Sequence, residues 1–154
     1  MDPNSEMPGI LFQALVRARH RAELAELAPM GLKHLGQATI LLFLNEADPE
    51  GVEQQELLRT LDLSPGAAAA CLRGLERGGY VKKTPHPADA RRRLVSLTAR
   101  GGAAAQACLR AIRTVDRRMF GGLAREELDL LAAFQRRMLA GLQNEDGPRC
   151  PGCG

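Results

Sequence analysis

Three groups of residues have the types and spacing to do chemistry. The first is a run of cations. Residues 82–118 hold ten basic and two acidic side chains, a local charge of +8, while residues 1–63 hold five basic and ten acidic, a local charge of −5. Lys82, Lys83, Arg91, Arg92 and Arg93 lie at the start of that band. A basic band inside an otherwise acidic chain suits a polyanion; a solvated charged face is the plainer alternative. The second group is Leu63-Ser64-Pro65. Ser64 is a good helix N-cap, and Pro65 fits the first helical position, where its missing N–H costs nothing. A helix start of this kind offers free N–H groups and a dipole to a phosphate. The third group is Cys150-Pro151-Gly152-Cys153. Pro-Gly between two cysteines makes a tight turn that aims two thiolates at one point. Tetrahedral zinc wants four, so two copies of the chain would be needed. The same spacing could cycle between dithiol and disulfide, or be a plain tail.

The remaining reactive residues offer less. His20, His34 and His86 show no metal-ligand spacing. Cys71 and Cys108 fall on apolar helical stripes and read as small core residues. The chain has three serines and one tyrosine, no Gly-x-x-x-x-Gly-Lys and no paired carboxylates at a recognisable cleft. An enzyme is therefore not expected. The tail dithiol would be the one candidate for thiol oxidoreduction, and it lacks the βαβ context that chemistry uses.

These groups need elements to hold them. The chain has 154 residues, 45% of them apolar and 25% charged, enough for one domain with a core. No apolar run approaches the roughly 20 residues of a membrane span. The start of the chain lacks the basic and apolar segments of a signal peptide. A cytoplasmic location without a membrane partner is the expectation, with cysteines serving as thiols or ligands rather than disulfides.

Apolar spacing predicts helices over about 10–28, 34–47, 53–61, 65–77, 98–120 and 125–142. Glu53 and Lys33 stand where caps usually sit, so frayed starts are expected for the second and third helices. Two short strands, Tyr80 to Lys83 and Leu94 to Leu97, flank a loop holding Pro85, Pro87, Asp89 and the three arginines. Residues 1–9 and 143–154 read as flexible ends. Short helix, tight turn, capped helix and β-ribbon together make a winged helix-turn-helix. The capped helix fits a major groove, and arginines at the ribbon tip fit a neighbouring minor groove.

With these segments in place, the chain resembles the MarR family of bacterial transcription regulators over about residues 31–142. The resemblance is carried by Gly31-Leu32, Leu63-Ser64-Pro65, Leu75-Glu76-Arg77-Gly78-Gly79-Tyr80-Val81, Asp89-Ala90-Arg91 and Val95-Ser96-Leu97-Thr98-Ala99-Arg100-Gly101. The Asp-x-Arg wing leading into Leu-Thr-x-x-Gly is the most specific part. It implies a mainly α fold with a small two-stranded β-ribbon. A winged helix-turn-helix lobe over 33–98 would be flanked by dimerisation helices over 10–30 and 99–142. It also implies an obligate homodimer on a pseudo-palindromic operator in double-stranded DNA, and repression relieved by a small organic effector. No cofactor is required, with zinc conceivable at Cys150 and Cys153.

Matched position by position, the DNA contacts implied are Ser64, Pro65, Gly66, Ala67, Ala69, Ala70 and Arg73 on the recognition helix. Lys82, Lys83, Asp89, Arg91, Arg92 and Arg93 are those implied on the wing, with Asp89 bracing Arg91. Arg17, Arg19 and His20 are the polar groups expected near an effector, at the junction of the first, second and fifth helices. The chain departs from the family where Thr and Arg are common: it has Ala67, Ala69, Ala70 and Gly74. Few side chains are left for bidentate base contacts. Thymine-methyl contacts and shape readout through Arg91 to Arg93 would then carry much of the specificity. The dimer has independent support in the stripes Leu11/Leu15 and Leu128/Leu131/Phe134/Met138, which a small reading head cannot cover. Two alternatives stand beside this reading. One is a metal- or thiol-redox-responsive regulator using the C-terminal cysteines, the other a weakly specific DNA-binding dimerisation module.

Overall fold

Caps and breakers set most of the boundaries. In the computed structural model, which describes residues 7–61 and 63–143, Pro8 opens helix α1 (Pro8–Leu27), and a short 3-10 turn (Ala28–Met30) follows. Then come α2 (Leu35–Glu46), strand β1 (Val52–Glu53), α3 (Gln54–Thr60), α4 (Pro65–Arg77), β2 (Val81–His86), β3 (Asp89–Leu97), α5 (Ala99–Phe120) and α6 (Arg125–Gln143). Pro8 and Gly9, expected in a flexible end, belong to α1. The chain divides into two units, residues 1–115 and 116–154. No single helix among the described residues is long and apolar enough to cross a membrane.

The core of the first unit is aliphatic. Leu27, Leu32, Ile40, Leu41, Leu57, Leu72, Leu75, Val95 and Cys108 are fully buried. Each leucine contributes roughly 1.5–3 kcal/mol by leaving water. Small residues of α5, Ala104, Ala105 and Ala111, pack into the same cluster.

The α2–α4 crossing is close because it is built from small residues. A Cβ on Gly36 would stand 2.9 Å from the Cys71 sulfur, and one on Gly74 would stand 2.8 Å from Nε2 of Gln37. Gln37 is itself buried. Its Oε1 accepts from the backbone N–H of Lys33 (2.8 Å) and of His34 (3.3 Å). That arrangement corrects the expectation of a frayed α2, because a glutamine inside the helix ties down the residues in front of it. At α3, Glu53 supplies no side-chain cap. The residues before that helix are instead held as β1, so its start is also fixed.

β1 makes the sheet three-stranded, in the order β1-β3-β2, where the sequence predicts two strands. Val52 pairs with Val95 and Glu53 with Leu94. The ribbon is also longer than expected. β2 runs through Pro85 to His86, and the connection shrinks to Pro87-Ala88, so the three arginines lie within β3 rather than in a loop. Pro85 is tolerated because β2 is an edge strand and the proline sits beside the register shift, the two places in a sheet where proline is accommodated. The register shifts between Pro85 and His86: Pro85 pairs with Arg93, but His86 pairs with Asp89. Ala90, Arg91 and Arg92 are thus extra residues on β3, a bulge that bends the tip.

α1 and α6 each leave apolar side chains uncovered. Ile10, Leu11, Phe12, Leu15 and Val16 of α1 are exposed, as are Leu130, Phe134, Met138, Leu139 and Leu142 of α6. α6 has no buried residue. Leu128 and Leu131 are half-buried.

Candidate nucleic-acid interface

Ser64 starts the candidate recognition helix as its type predicts. Its Oγ accepts from the Ala67 N–H at 3.3 Å, and Pro65 takes the first helical position. Ala68, Cys71, Leu72 and Leu75 turn inward. Ser64, Pro65, Gly66, Ala67, Ala70 and Arg73 are exposed, and Ala69 is half-buried. The outward face is therefore low and smooth, with Arg73 its one long cation before the last turn. Such a face lets a helix backbone come close to the floor of a groove, with the positive end of the helix dipole and the Gly66 N–H at its first turn.

Gly79 ends this helix with a positive φ of 71°, and the Tyr80 N–H returns to the Leu75 carbonyl at 2.9 Å. Tyr80 then becomes a junction. Its hydroxyl donates to the Met30 carbonyl at 2.5 Å and accepts from Arg100 Nη2 at 3.3 Å. The Arg100 guanidinium lies 4.5 Å from the ring centroid. Thr98 caps α5 by accepting from the Gly101 N–H (3.0 Å) and donates to the Gly79 carbonyl (2.7 Å). A Cβ on Gly101 would collide with the Tyr80 carbonyl oxygen, so the last glycine of Leu-Thr-x-x-Gly lets α5 pass against the end of α4.

The wing cations do not share one fate. Lys82 is exposed, whereas Lys83 reaches back 2.9 Å to Glu76 of α4. Arg91, Arg92 and Arg93 are all exposed residues. Asp89 braces the wing through the backbone, its Oδ1 accepting from the Arg91 N–H at 2.9 Å. Arg92 turns to Glu53: its Nε donates to Oε2 at 3.0 Å and its Nη2 meets Oε1. His86 Nε2 stands 3.8 Å from the same carboxylate, and His86 Nδ1 accepts from the Ala88 N–H at 3.1 Å.

The groups expected at an effector site do not converge. Arg17 lines a shallow groove along the first turns of α1, beside Met7, Pro8, Gly9, Ile10 and Gln13. Arg19 pairs with Glu23 at 2.9 Å, and His20 is exposed on the same helix. Cys71 and Cys108 are buried free thiols. Burial pushes both up, Cys108 to about 11. Cys150 and Cys153 lie outside the described residues, and no group of three metal-ligating side chains occurs among those described.

Sequence reasoning missed Glu53, His86 and Tyr80 as partners. By sequence, Glu53 reads as a helix start. The signal that could have placed it in a strand is the single β-branched Val52 beside it, too short a stretch to alternate.

Comparison with known proteins agrees with this geometry. Residues 30–92 match the MarR family. The transcriptional regulator HosA of Escherichia coli O111:H- is 34% identical over 93 residues, 60% of this chain and 69% of HosA. The chain belongs to the MarR family. It is a winged helix-turn-helix transcriptional regulator that binds DNA, not an enzyme. Among solved structures, a cysteine-to-serine mutant of MarR from E. coli, complexed with operator DNA, superposes with a TM-score of 0.73, at 25% identity over 88% of this chain and 96% of that one. The repressor CouR bound to a 23-mer DNA duplex gives 0.74, at 27% identity over 90% and 96%. CouR from Rhodococcus jostii RHA1 bound to p-coumaroyl-CoA gives 0.70, at 24% identity over 92% and 95%.

Proposed function

We propose that this MarR-family chain is a homodimeric, ligand-responsive repressor that reads a pseudo-palindromic operator. The observation that carries the reading is the exposed, Ser64-capped face of α4 beside an arginine-bearing wing. Ser64 to Ala67, with the Gly66 N–H and the positive end of the helix dipole, would meet phosphate. Ala67, Ala69 and Ala70 would meet thymine methyls, and Arg73 a base or phosphate. Lys82, Arg91 and Arg93 would reach the flanking backbone and minor groove, and Asp89 would hold the Arg91 backbone in place. The exposed faces of α1 and α6 are the surfaces a second copy would cover.

An effector fits the same reading because CouR, a repressor, has been seen with p-coumaroyl-CoA. A small, mostly apolar organic molecule is the class to test, beginning with aromatic acids. Cys150 and Cys153 supply two thiolate donors per chain, so zinc would need two chains, and the metal content of reduced protein tests that. Selection of bound DNA from a random pool tests the central reading: an inverted repeat supports it, and a pool without sequence preference overturns it.

The alanine-rich face of α4 favours a second reading, a weakly specific DNA-binding dimer. That reading predicts equal affinity for selected and random duplexes, lost uniformly with salt.

A further inference from the structure

We infer that Glu53 is a positioning residue that takes Arg92 out of the DNA-contacting set and makes it a strut between the wing and the reading head. The inference rests on the proposed DNA-binding role of the wing and deepens it. Three consecutive arginines at an exposed tip would ordinarily all serve as phosphate ligands. Here one is engaged within the chain. Glu53 receives Arg92 through both carboxylate oxygens, by Nε and Nη2, the fork geometry that holds a guanidinium in place. The partners are 39 residues apart. Glu53 closes β1 and precedes α3, while Arg92 lies in the β3 bulge.

Two further features favour a built contact over a chance surface pair. The Glu53 side chain is only 23% exposed, against 48% for Arg92. His86 faces the same carboxylate from β2, with Nε2 at 3.8 Å. Its Nδ1 accepts from the Ala88 N–H, which leaves Nε2 as the ring nitrogen nearest Glu53. A carboxylate on β1 is thus approached from both other strands. Its charge offsets Arg92, which leaves Arg91 and Arg93 as the DNA cations of the arginine run. Gln54, Gln55, Arg91 and Arg93 line the cleft around the pair and bring no second carboxylate.

The salt dependence of DNA binding counts the cations used, at about 0.9 in the slope of log K against log salt for each phosphate neutralised. Full-length protein is titrated onto a selected duplex and a random duplex over a salt series. R91Q should flatten the slope by about 0.9 per wing. R92Q should leave it unchanged. E53Q should steepen it by about 0.9 per wing as Arg92 is freed, and should raise affinity for random DNA. The double variant E53Q/R92Q should return to the parental slope, which separates release of Arg92 from mere loss of a repelling carboxylate. A DNA-free measurement accompanies these: in nitrogen-edited NMR, the Arg92 Nε–Hε signal should stand apart from the other arginines in the parent and join them in E53Q. R92Q flattening the slope as R91Q does, or an Arg92 signal indifferent to E53Q, overturns the inference while leaving the wing on DNA. A slope indifferent to R91Q removes the wing reading itself, and the inference with it.

Discussion

The Tyr80 hydroxyl donates to the Met30 carbonyl at 2.5 Å, joining the end of the recognition helix to the turn that follows α1. Tyr80 is buried, and its ring also lies under Arg100. Tyr80→Phe keeps the ring and removes the donor, so the carbonyl loses a partner. The expected loss is about 1–2 kcal/mol of stability. It should appear in urea unfolding as a lower midpoint with an unchanged slope. A midpoint equal to the parent's would mean that water replaces the bond.

Gly74 stands where the family resemblance leads one to expect arginine, and the close α2–α4 crossing leaves little room for a side chain there. A Cβ there would meet Gln37 Nε2 at 2.8 Å, and Gln37 is the residue that ties down the start of α2. Gly74→Arg should therefore destabilise the protein by about 1–3 kcal/mol, the usual cost of overpacking. Gly66 has open space around its Cβ direction. Gly66→Arg should fold normally and tighten binding to random DNA. A Gly74→Arg protein as stable as the parent would show that Gln37 moves aside freely.

Much of the architecture is legible in the sequence because its causes are local. Ser64, Pro65, Gly79 and Thr98 act within a few residues of themselves; α4 begins and ends, and α5 begins, where those residues direct. The inward set Ala68, Cys71, Leu72 and Leu75 follows from helical period alone. What is not legible depends on strand pairing. β1 is two residues long, too short for an alternating pattern. Pro85 reads as a breaker unless its strand is known to lie at an edge. Arg92 looks equivalent to Arg91 and Arg93 until β1 brings Glu53 across from a distant part of the chain. The start of α2 looks uncapped because its stabilising group, Gln37, lies inside the helix.

Cys108 provides a pH test. Its thiol is pushed up by burial to about 11 from an ordinary 9.0. In the unfolded chain it ionises first, so between about pH 9 and 11 the unfolded state binds fewer protons than the folded one. The contribution is complete below that window and is lost as pH rises through it, by up to roughly 2–3 kcal/mol. Cys108→Ala should be less stable at neutral pH, because it leaves a small void, yet fall less steeply over the same window. Parallel curves for the two proteins would contradict the assignment.

The uncovered apolar faces make association measurable. Phe134 is 52% exposed and Met138 49% exposed on α6. Sedimentation at micromolar concentration should give about twice 16.7 kDa. Phe134→Asp with Met138→Asp should shift the population towards monomer and weaken operator binding in parallel. A folded monomeric parent would rule out both the dimer and a two-fold symmetric operator.

The most direct measurement is competitive fluorescence anisotropy on a duplex recovered by selection, read against a scrambled duplex of equal length. The parent should prefer the selected duplex by at least about a thousandfold at physiological salt, as specific regulators do. Arg91→Ala should weaken that binding by about 1–3 kcal/mol. Equal affinity of the parent for both duplexes, with Arg91→Ala indistinguishable from it, would contradict an operator-reading winged helix.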